Sequence, residues 1–491
     1  MNKLTPRITK VQKLDDVENE TETTKDISLK PLTSNSLTPK AKIPKANRNW
    51  FYADEMAAIY NIPAPNLVNN VNVAVVSFGG GLYGSLSPTG VLTNGDCQTY
   101  WASIGILPQN MPTVVVLPIN GARNLPNVND SGATFENTLD VQQIGACCPS
   151  SKLTIVLYIV PNSLSNFTTI MNYILNVSTY KPFAISISWG APEVYYPTSL
   201  LNSINTLFNS AIIKGINITA ASGDNGSNNG VGGTGSYADF PAASPNVTSC
   251  GGTKLTCPNL IYDNQTIEIA WSSGGGALSG YFNSPTYQSS LNVARRSVPD
   301  IALNADPSTG VLYIINNNSY ILGGTSIVSP IIAGYLTAIG ANKFLNPILY
   351  TSPSNVFNDV LIGSNGAFTA KTGYDNCSGL GSIVGNLLAT IITNIPTTPT
   401  TPTTPITINV TSISLNVSSL TIRRGKTYQL TARVLPTNAT NKYIIWSTSN
   451  SKFATVSSSG LIRAISIGNT TITARTVDQN KIATVRLIIK R

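Results

Sequence analysis

From Trp50-Phe51-Tyr52 onward, short apolar runs alternate with helical stretches and loops of small residues. Residues 71–78, 153–160, 184–189 and 216–221 are β-branched and apolar at nearly every position, which predicts strands buried on both faces. Residues 134–147 and 199–214 carry helical periodicity between them. Strands of this kind separated by helices predict an α/β domain over 49–392, a parallel sheet with helices on both faces. The pattern changes after residue 392. Residues 393–407 hold a Pro-Thr-Thr repeat, a semi-rigid extended linker. Residues 408–491 then alternate with period two, as in Tyr428-Gln429-Leu430-Thr431-Ala432-Arg433-Val434 and Thr470-Thr471-Ile472-Thr473-Ala474, predicting a small all-β sandwich. Residues 1–48 are polar without periodicity and read as a disordered tail.

Charge follows these boundaries. Residues 1–49 hold 10 Lys and Arg against 6 Asp and Glu, residues 50–404 hold 9 against 15, and residues 405–491 hold 12 against 1. An acidic body is thus flanked by basic segments, and the basic sandwich suits a polyanion or another surface ligand as well as a plain soluble surface. No apolar run reaches membrane-spanning length and no signal peptide is recognisable at the amino terminus. The six cysteines form no CxxC pair and no histidine in 491 residues is present to complete a zinc site, which argues against metal binding through sulfur. Cys250 and Cys257 could close a disulfide loop or remain free thiols.

The absent histidine bears on chemistry. Gly323-Gly324-Thr325-Ser326-Ile327-Val328-Ser329-Pro330 has the composition of a segment presenting a nucleophilic serine at a helix start, with Thr325 as cap. Its base cannot be an imidazole. Acids are scarce in the body, whose only glutamates are Glu55, Glu136, Glu193 and Glu268. Glu136 and Asp140 stand at i, i+4 in a helical stretch, one face and close enough to share a proton. Ala221-Ser222-Gly223-Asp224-Asn225-Gly226 places a further acid in a loop at the carboxyl edge of the expected sheet, where ligands bind in open α/β folds.

Together with Tyr60-Asn61-Ile62-Pro63, Ser186-Ile187-Ser188-Trp189-Gly190, Phe240-Pro241-Ala242-Ala243-Ser244-Pro245, Gly251-Gly252-Thr253 and Val298-Pro299-Asp300, in that order along the chain, these segments resemble the sedolisin family of serine-carboxyl peptidases. The resemblance implies a subtilisin-like fold and an endopeptidase acting on polypeptides. Within it Ser326 is the nucleophile, Glu136 the base, Asp140 the acid that orients Glu136, and Asp224 a protonated oxyanion donor. Carboxyl groups with ordinary pKa values near 4 then set an acidic optimum, on the order of pH 3–5. It implies that Ser188, Trp189 and Gly190 bind the substrate backbone, with Trp189 either walling a specificity pocket or filling the core.

One Ca2+ ion is implied too, on the side chains of Asp359 and Asp375 and the carbonyls of Val360, Lys371 and Gly373, with Lys371 where the family usually has glycine. Val76-Ser77-Phe78-Gly79 lacks a glutamate that extends the acid network in some members, so a shorter proton relay is expected. Family members are made with a large folded prodomain, which the polar residues 1–48 do not resemble. Ile445-Trp446-Ser447-Thr448-Ser449-Asn450, Ala454-Thr455-Val456 and Gly460-Leu461-Ile462 resemble the bacterial immunoglobulin-like group 2 domain, a module of adhesion, spacing or surface display. The whole reads as a monomeric peptidase of an extracellular or particle surface. The alternative is a catalytically silent scaffold that binds through its basic sandwich.

Overall fold

A computed structural model describes residues 3–7, 10–13, 42–130, 132–393, 409–436, 439, 442, 444–457, 459–476 and 478–491. The chain divides after Ile395 into two units. Most of the Pro-Thr linker expected over 393–407 lies outside the described residues; Thr393 ends the helix Gly385–Thr393.

The first unit is built on a ten-stranded sheet. Thr248–Thr256, Asn217–Ala221, Pro182–Ile187, Val71–Ser77, Leu153–Ile159 and Thr113–Pro118 lie side by side in that order, every pair parallel. Ile301–Asn304 also runs parallel to Thr248–Thr256, and antiparallel strands close the edges. The all-apolar strands are explained by burial on both sides. Ala74, Val76, Val156, Ile185 and Ile218 face one layer with Phe167, Ile204 and Phe208. Val73, Val75, Ile155, Leu157 and Ala184 face the other with Val141, Ile144, Ala333 and Ala338. Each Val, Leu, Ile or Phe side chain among them contributes about 1.5–3 kcal/mol by leaving water.

The second layer contains two helices, Ala133–Cys147 and Val328–Ala338, in which every residue is buried. Close approach makes this possible. Gly145 backs onto the Trp101 ring, where a Cβ would come within 2.2 Å of the indole. Strand and helix expectations for the body agree with the fold to within a few residues.

The tail departs from expectation. Residues 14–41 lie outside the described residues, but Thr5–Pro6 pairs antiparallel with Trp189–Pro192, and Lys10–Lys13 pairs antiparallel with Asn318–Gly323. Residues 3–7 and 10–13 are therefore ordered against the body, not disordered. Short extended segments held by backbone ladders and one or two anchoring side chains have no hydrophobic period to detect.

In the second unit, Ser419–Arg423, Ile482–Lys490, Gly468–Thr476 and Ile444–Thr448 form a four-stranded sheet, and Thr427–Gln429, Leu461–Ala464 and Ala454–Val456 a three-stranded one. Leu430, Ile462, Ile472, Val485, Leu487 and Ile489 fill the space between. The alternation over 428–434 is not one strand. It breaks at Leu430-Thr431 and passes from the partner of Leu461–Ala464 to the partner of Ser412–Leu415. Period two survives such a crossing because both segments keep one face inward.

Candidate active site

The strands Val71–Ser77, Pro182–Ile187 and Asn217–Ala221 end at one edge, and the loops beyond them meet the amino-terminal ends of the two buried helices. Gly324, at φ +132, turns the chain out of the strand Asn318–Gly323 in a conformation that L side chains rarely adopt. A short 3-10 turn, Thr325–Ile327, then leads into Val328–Ala338 and sets Ser326 at its mouth. The Ser326 hydroxyl donates to Glu136 Oε2 at 2.9 Å. Four residues along the same helix, Asp140 Oδ1 accepts from the Ser188 hydroxyl at 2.7 Å. Ser326, Glu136 and Asp140 are wholly buried.

Two facing carboxyls without solvent cannot both ionise at ordinary pKa. Burial pushes Glu136 well above the usual carboxylate range, the Asp140 charge pushes it further, and the Ser326 hydroxyl pulls it back. Burial likewise raises Asp140 well above its ordinary value, against the Ser188 hydrogen bond. Glu136 Oε1 and Asp140 Oδ2 have no partner among the described residues, and a proton shared by the pair would satisfy both. The pair is thus arranged to hold one proton and to accept another from Ser326.

Asp224 sits in the loop after Asn217–Ala221 and is nearly buried. Its Oδ1 accepts from the Thr325 amide and hydroxyl, each at 2.8 Å. Thr325 therefore ties the acid to the serine turn instead of capping the helix as its sequence position suggests. Its hydroxyl oxygen also accepts from the Gly223 amide at 3.1 Å.

A peptide already lies in the cleft. The Arg7 amide donates to the Ser188 carbonyl at 3.0 Å, Thr5 pairs with Gly190, and the Ser326 amide donates to the Arg7 carbonyl at 3.3 Å. Ser188 and Gly190 thus pair with the extended backbone of the chain's own residues 5–7, while Ser188 also holds Asp140 through its hydroxyl. The Trp189 side chain does not wall a pocket. It is 2% exposed and packs edge-on to Phe78 in the core at 5.7 Å between ring centroids.

Arg7 and Asp239 were invisible to motif reading. The guanidinium grips the carboxylate side-on, Nε to Oδ2 at 2.8 Å and Nη2 to Oδ1 at 2.6 Å, both groups buried. The available signal was Asp239 itself, one of few acids in the body, placed directly before the Phe240-Pro241 turn.

Asp359 and Asp375 come together in the loops after Phe357–Asn358. Asp359 Oδ2 accepts from the Gly373 amide at 2.8 Å, and Asp375 Oδ2 from the Lys371 amide at 3.0 Å. Burial raises Asp359, and the neighbouring Asp375 charge raises it further despite the Gly373 bond. Among the described hydrogen bonds, none ends on the carbonyls of Val360, Lys371 or Gly373. Two repelling carboxylates beside uncommitted carbonyls suit a hard cation. No group of three or more His, Cys, Asp or Glu side chains gathers for a metal among the described residues. The six cysteines are buried free thiols.

A doubly covered parallel sheet carrying a serine hydrogen-bonded to one of two buried carboxyls defines a subtilisin-like, serine-carboxyl class of protein. The first unit is similar in sequence and fold to sedolisin-type peptidases, and residues 409–486 match the bacterial Ig-like domain, group 2. Kumamolisin of Bacillus sp. (strain MN-32) is 33% identical over 357 residues, covering 67% of this chain and 61% of its own length. Sedolisin of Pseudomonas sp. (strain 101) is 27% identical over 372 residues, covering 69% of this chain and 61% of its own. The chain thus spans less than two thirds of the length of these relatives. The solved structure of Pseudomonas sedolisin, a serine-carboxyl proteinase complexed with two molecules of pseudo-iodotyrostatin, superimposes with a TM-score of 0.60 at 25% identity over 70% of this chain and 98% of that one.

Proposed function

We propose that this chain is a serine-type endopeptidase that hydrolyses polypeptides in acid through an acyl-enzyme on Ser326. The observation that carries the reading is the 2.9 Å hydrogen bond from the Ser326 hydroxyl to a buried carboxyl pair. Glu136 takes the hydroxyl proton as Ser326 Oγ attacks, and Asp140 stabilises and orients Glu136. The negative oxygen of the tetrahedral intermediate forms where the Arg7 carbonyl oxygen now lies, with the Ser326 amide as one donor and protonated Asp224 as the other. The relayed proton then passes to the leaving amine, and water repeats the cycle on the ester. Asp224 must carry its proton and the carboxyl pair must have lost one, which confines activity to acid. Digestion of a denatured protein is expected at about pH 4 and not at about pH 7.5. Equal digestion at both, or digestion by Ser326→Ala, would overturn the assignment.

The geometry around Asp359 and Asp375 supports one Ca2+ ion, with the Val360, Lys371 and Gly373 carbonyls completing an oxygen shell. When bound, the ion supplies charge that neutralises the two carboxylates and fastens these loops to each other; no catalytic step passes through it. A chelator should lower Tm by several degrees, on the order of 1–3 kcal/mol of stability. An unchanged Tm would remove the ion. The basic immunoglobulin-like unit supports a role on an exterior or particle surface through polyanion contact, read by salt-sensitive retention on heparin.

A further inference from the structure

Four of the cations borne on strands of the immunoglobulin-like unit stand out from a single sheet. In the four-stranded sheet Ile472, Val485, Leu487 and Ile489 point into the sandwich, and the residues alternating with them face outward. Arg423, Arg475, Arg486 and Lys490 are all on the outward side and exposed. Register places Arg423 beside Lys490 on the neighbouring strand, Arg486 between Ser419 and Thr471, and Arg475 between Ile482 and Ile445. Lys490 and Arg486 are four positions apart, about 13 Å along their strand, and Arg475 lies as far again beyond Arg486 and one strand across. The cations thus form a diagonal about 26 Å long over the face. Within its strands, the outward side of the three-stranded sheet carries one cation, Arg463.

No acid answers these charges. The single acid of residues 405–491 is Asp478, whose Oδ2 accepts from the Val410 amide at 2.7 Å. Among the described residues, no ion pair or side-chain hydrogen bond engages the four cations. Between them stand Ser419, Thr471, Thr473 and Thr484, short hydroxyls on a rigid surface. The sheet's one aromatic residue, Trp446, packs against the inner cluster. Fixed hydroxyls among guanidinium groups hydrogen-bond sugar hydroxyls and oxyanions, and without an exposed ring there is no platform on which bases stack. Three of the four cations are arginine, so the face keeps its charge throughout the acid range proposed for the peptidase. Sugar carboxylates, with pKa values near 4, lose their charge in that range, whereas sulfate esters are strong acids and keep it.

We propose that the outward face of this four-stranded sheet binds a sulfated polysaccharide lengthwise, with its sulfate groups on Arg423 and Lys490, Arg486, and Arg475 in turn. This rests on the polyanion reading of the unit above and names the surface and the partner. Each arginine fork offers paired donors to two oxygens of one sulfate, as it does to carboxylate and phosphate, and the hydroxyls between the cations bond the sugar rings. A polymer lying along the diagonal meets several sites at once, so modest contacts add to firm attachment. Attachment of this kind holds the chain to a surface coated with such a polymer in acid, where carboxylate-bearing coats release it.

The test uses the full chain and dextran sulfate, whose charges are sulfate esters, with affinity measured at about pH 4 and about pH 7. Arg475→Ser with Arg486→Ser is compared with a pair that removes the same charge elsewhere in the unit, Arg433→Ser with Arg463→Ser. All four side chains are exposed, so thermal unfolding should stay unchanged. The first pair should weaken binding about tenfold or more at both pH values, and the second by less than about threefold. Arg423→Ser with Lys490→Ser, at the other end of the diagonal, should act as the first pair does and decides the matter if that pair unfolds. Polygalacturonate, which carries carboxylates, should bind at about pH 7 and be released toward about pH 3. Equal losses from the face pairs and the control pair overturn this proposal and leave the polyanion reading standing; no binding of the wild type to any polyanion overturns the polyanion reading itself. Tighter binding to duplex DNA or to anionic lipid vesicles, with the same dependence on Arg475 and Arg486, overturns the choice of a polysaccharide. Undiminished binding to polygalacturonate in acid overturns the choice of sulfate.

Discussion

Glu136→Gln is expected to lower kcat on a peptide substrate by about 10³–10⁴-fold at acid pH while the protein stays folded. The amide is isosteric with the carboxyl and can still accept the Ser326 hydroxyl bond seen at 2.9 Å. It cannot take the proton. With no histidine in the chain to stand in, the loss should approach that of Ser326→Ala, and the double variant should be little worse than either. Thermal unfolding checks the fold independently, because both side chains are buried and a collapse of the site would appear there. Retention of more than a tenth of the activity by Glu136→Gln would show that another group activates the serine.

The second large effect is on stability. Burial raises Asp96, Glu136, Asp140, Glu193 and Glu268 above their ordinary values, and pushes Asp239 up to about 6 against the pull of Arg7. A carboxyl with its folded pKa above the unfolded value of about 4 binds more protons in the folded state between the two values. Its contribution is therefore fully present below about pH 4 and is lost as pH rises through the folded pKa. For Asp239 that window runs from about 4 to about 6, and the single proton that the Glu136–Asp140 pair still shares in acid carries the loss higher. Tm should fall on going from about pH 4 to about pH 7, on the order of 5–10 °C. Glu136→Gln should flatten part of the slope, since one charge of the dyad can no longer form. A Tm that rises over this interval would contradict the buried, proton-sharing arrangement.

Much of this was legible in the chain because strands buried on two faces are apolar throughout, and the candidate catalytic acids stand out in a body with so few. Three features were hidden for physical reasons. The helix Ala133–Cys147 is buried on every side, so Asn137, Gln142 and Gln143, which composition would place in water, lie inside. Gln142 there bonds both the amide and the carbonyl of Ile314, a contact across the fold that local sequence does not encode. The second role of Ser188 depends on a hydroxyl meeting Asp140 from 48 residues away. The terminal segment was missed because a strand lying singly in a groove needs only Leu4 and Arg7 as anchors. Disorder and docking look alike in such a sequence.

The most direct test of the central claim is to trap the acyl-enzyme. Mixing the protein with a peptide ester at about pH 4, quenching in strong acid and mapping the mass increase should place the acyl group on Ser326. The same experiment should give no adduct with Ser326→Ala and acylation slowed by about 10³-fold or more with Glu136→Gln. Hydrolysis without an adduct on Ser326, or acylation undiminished by Glu136→Gln, would contradict a serine activated by a carboxyl pair.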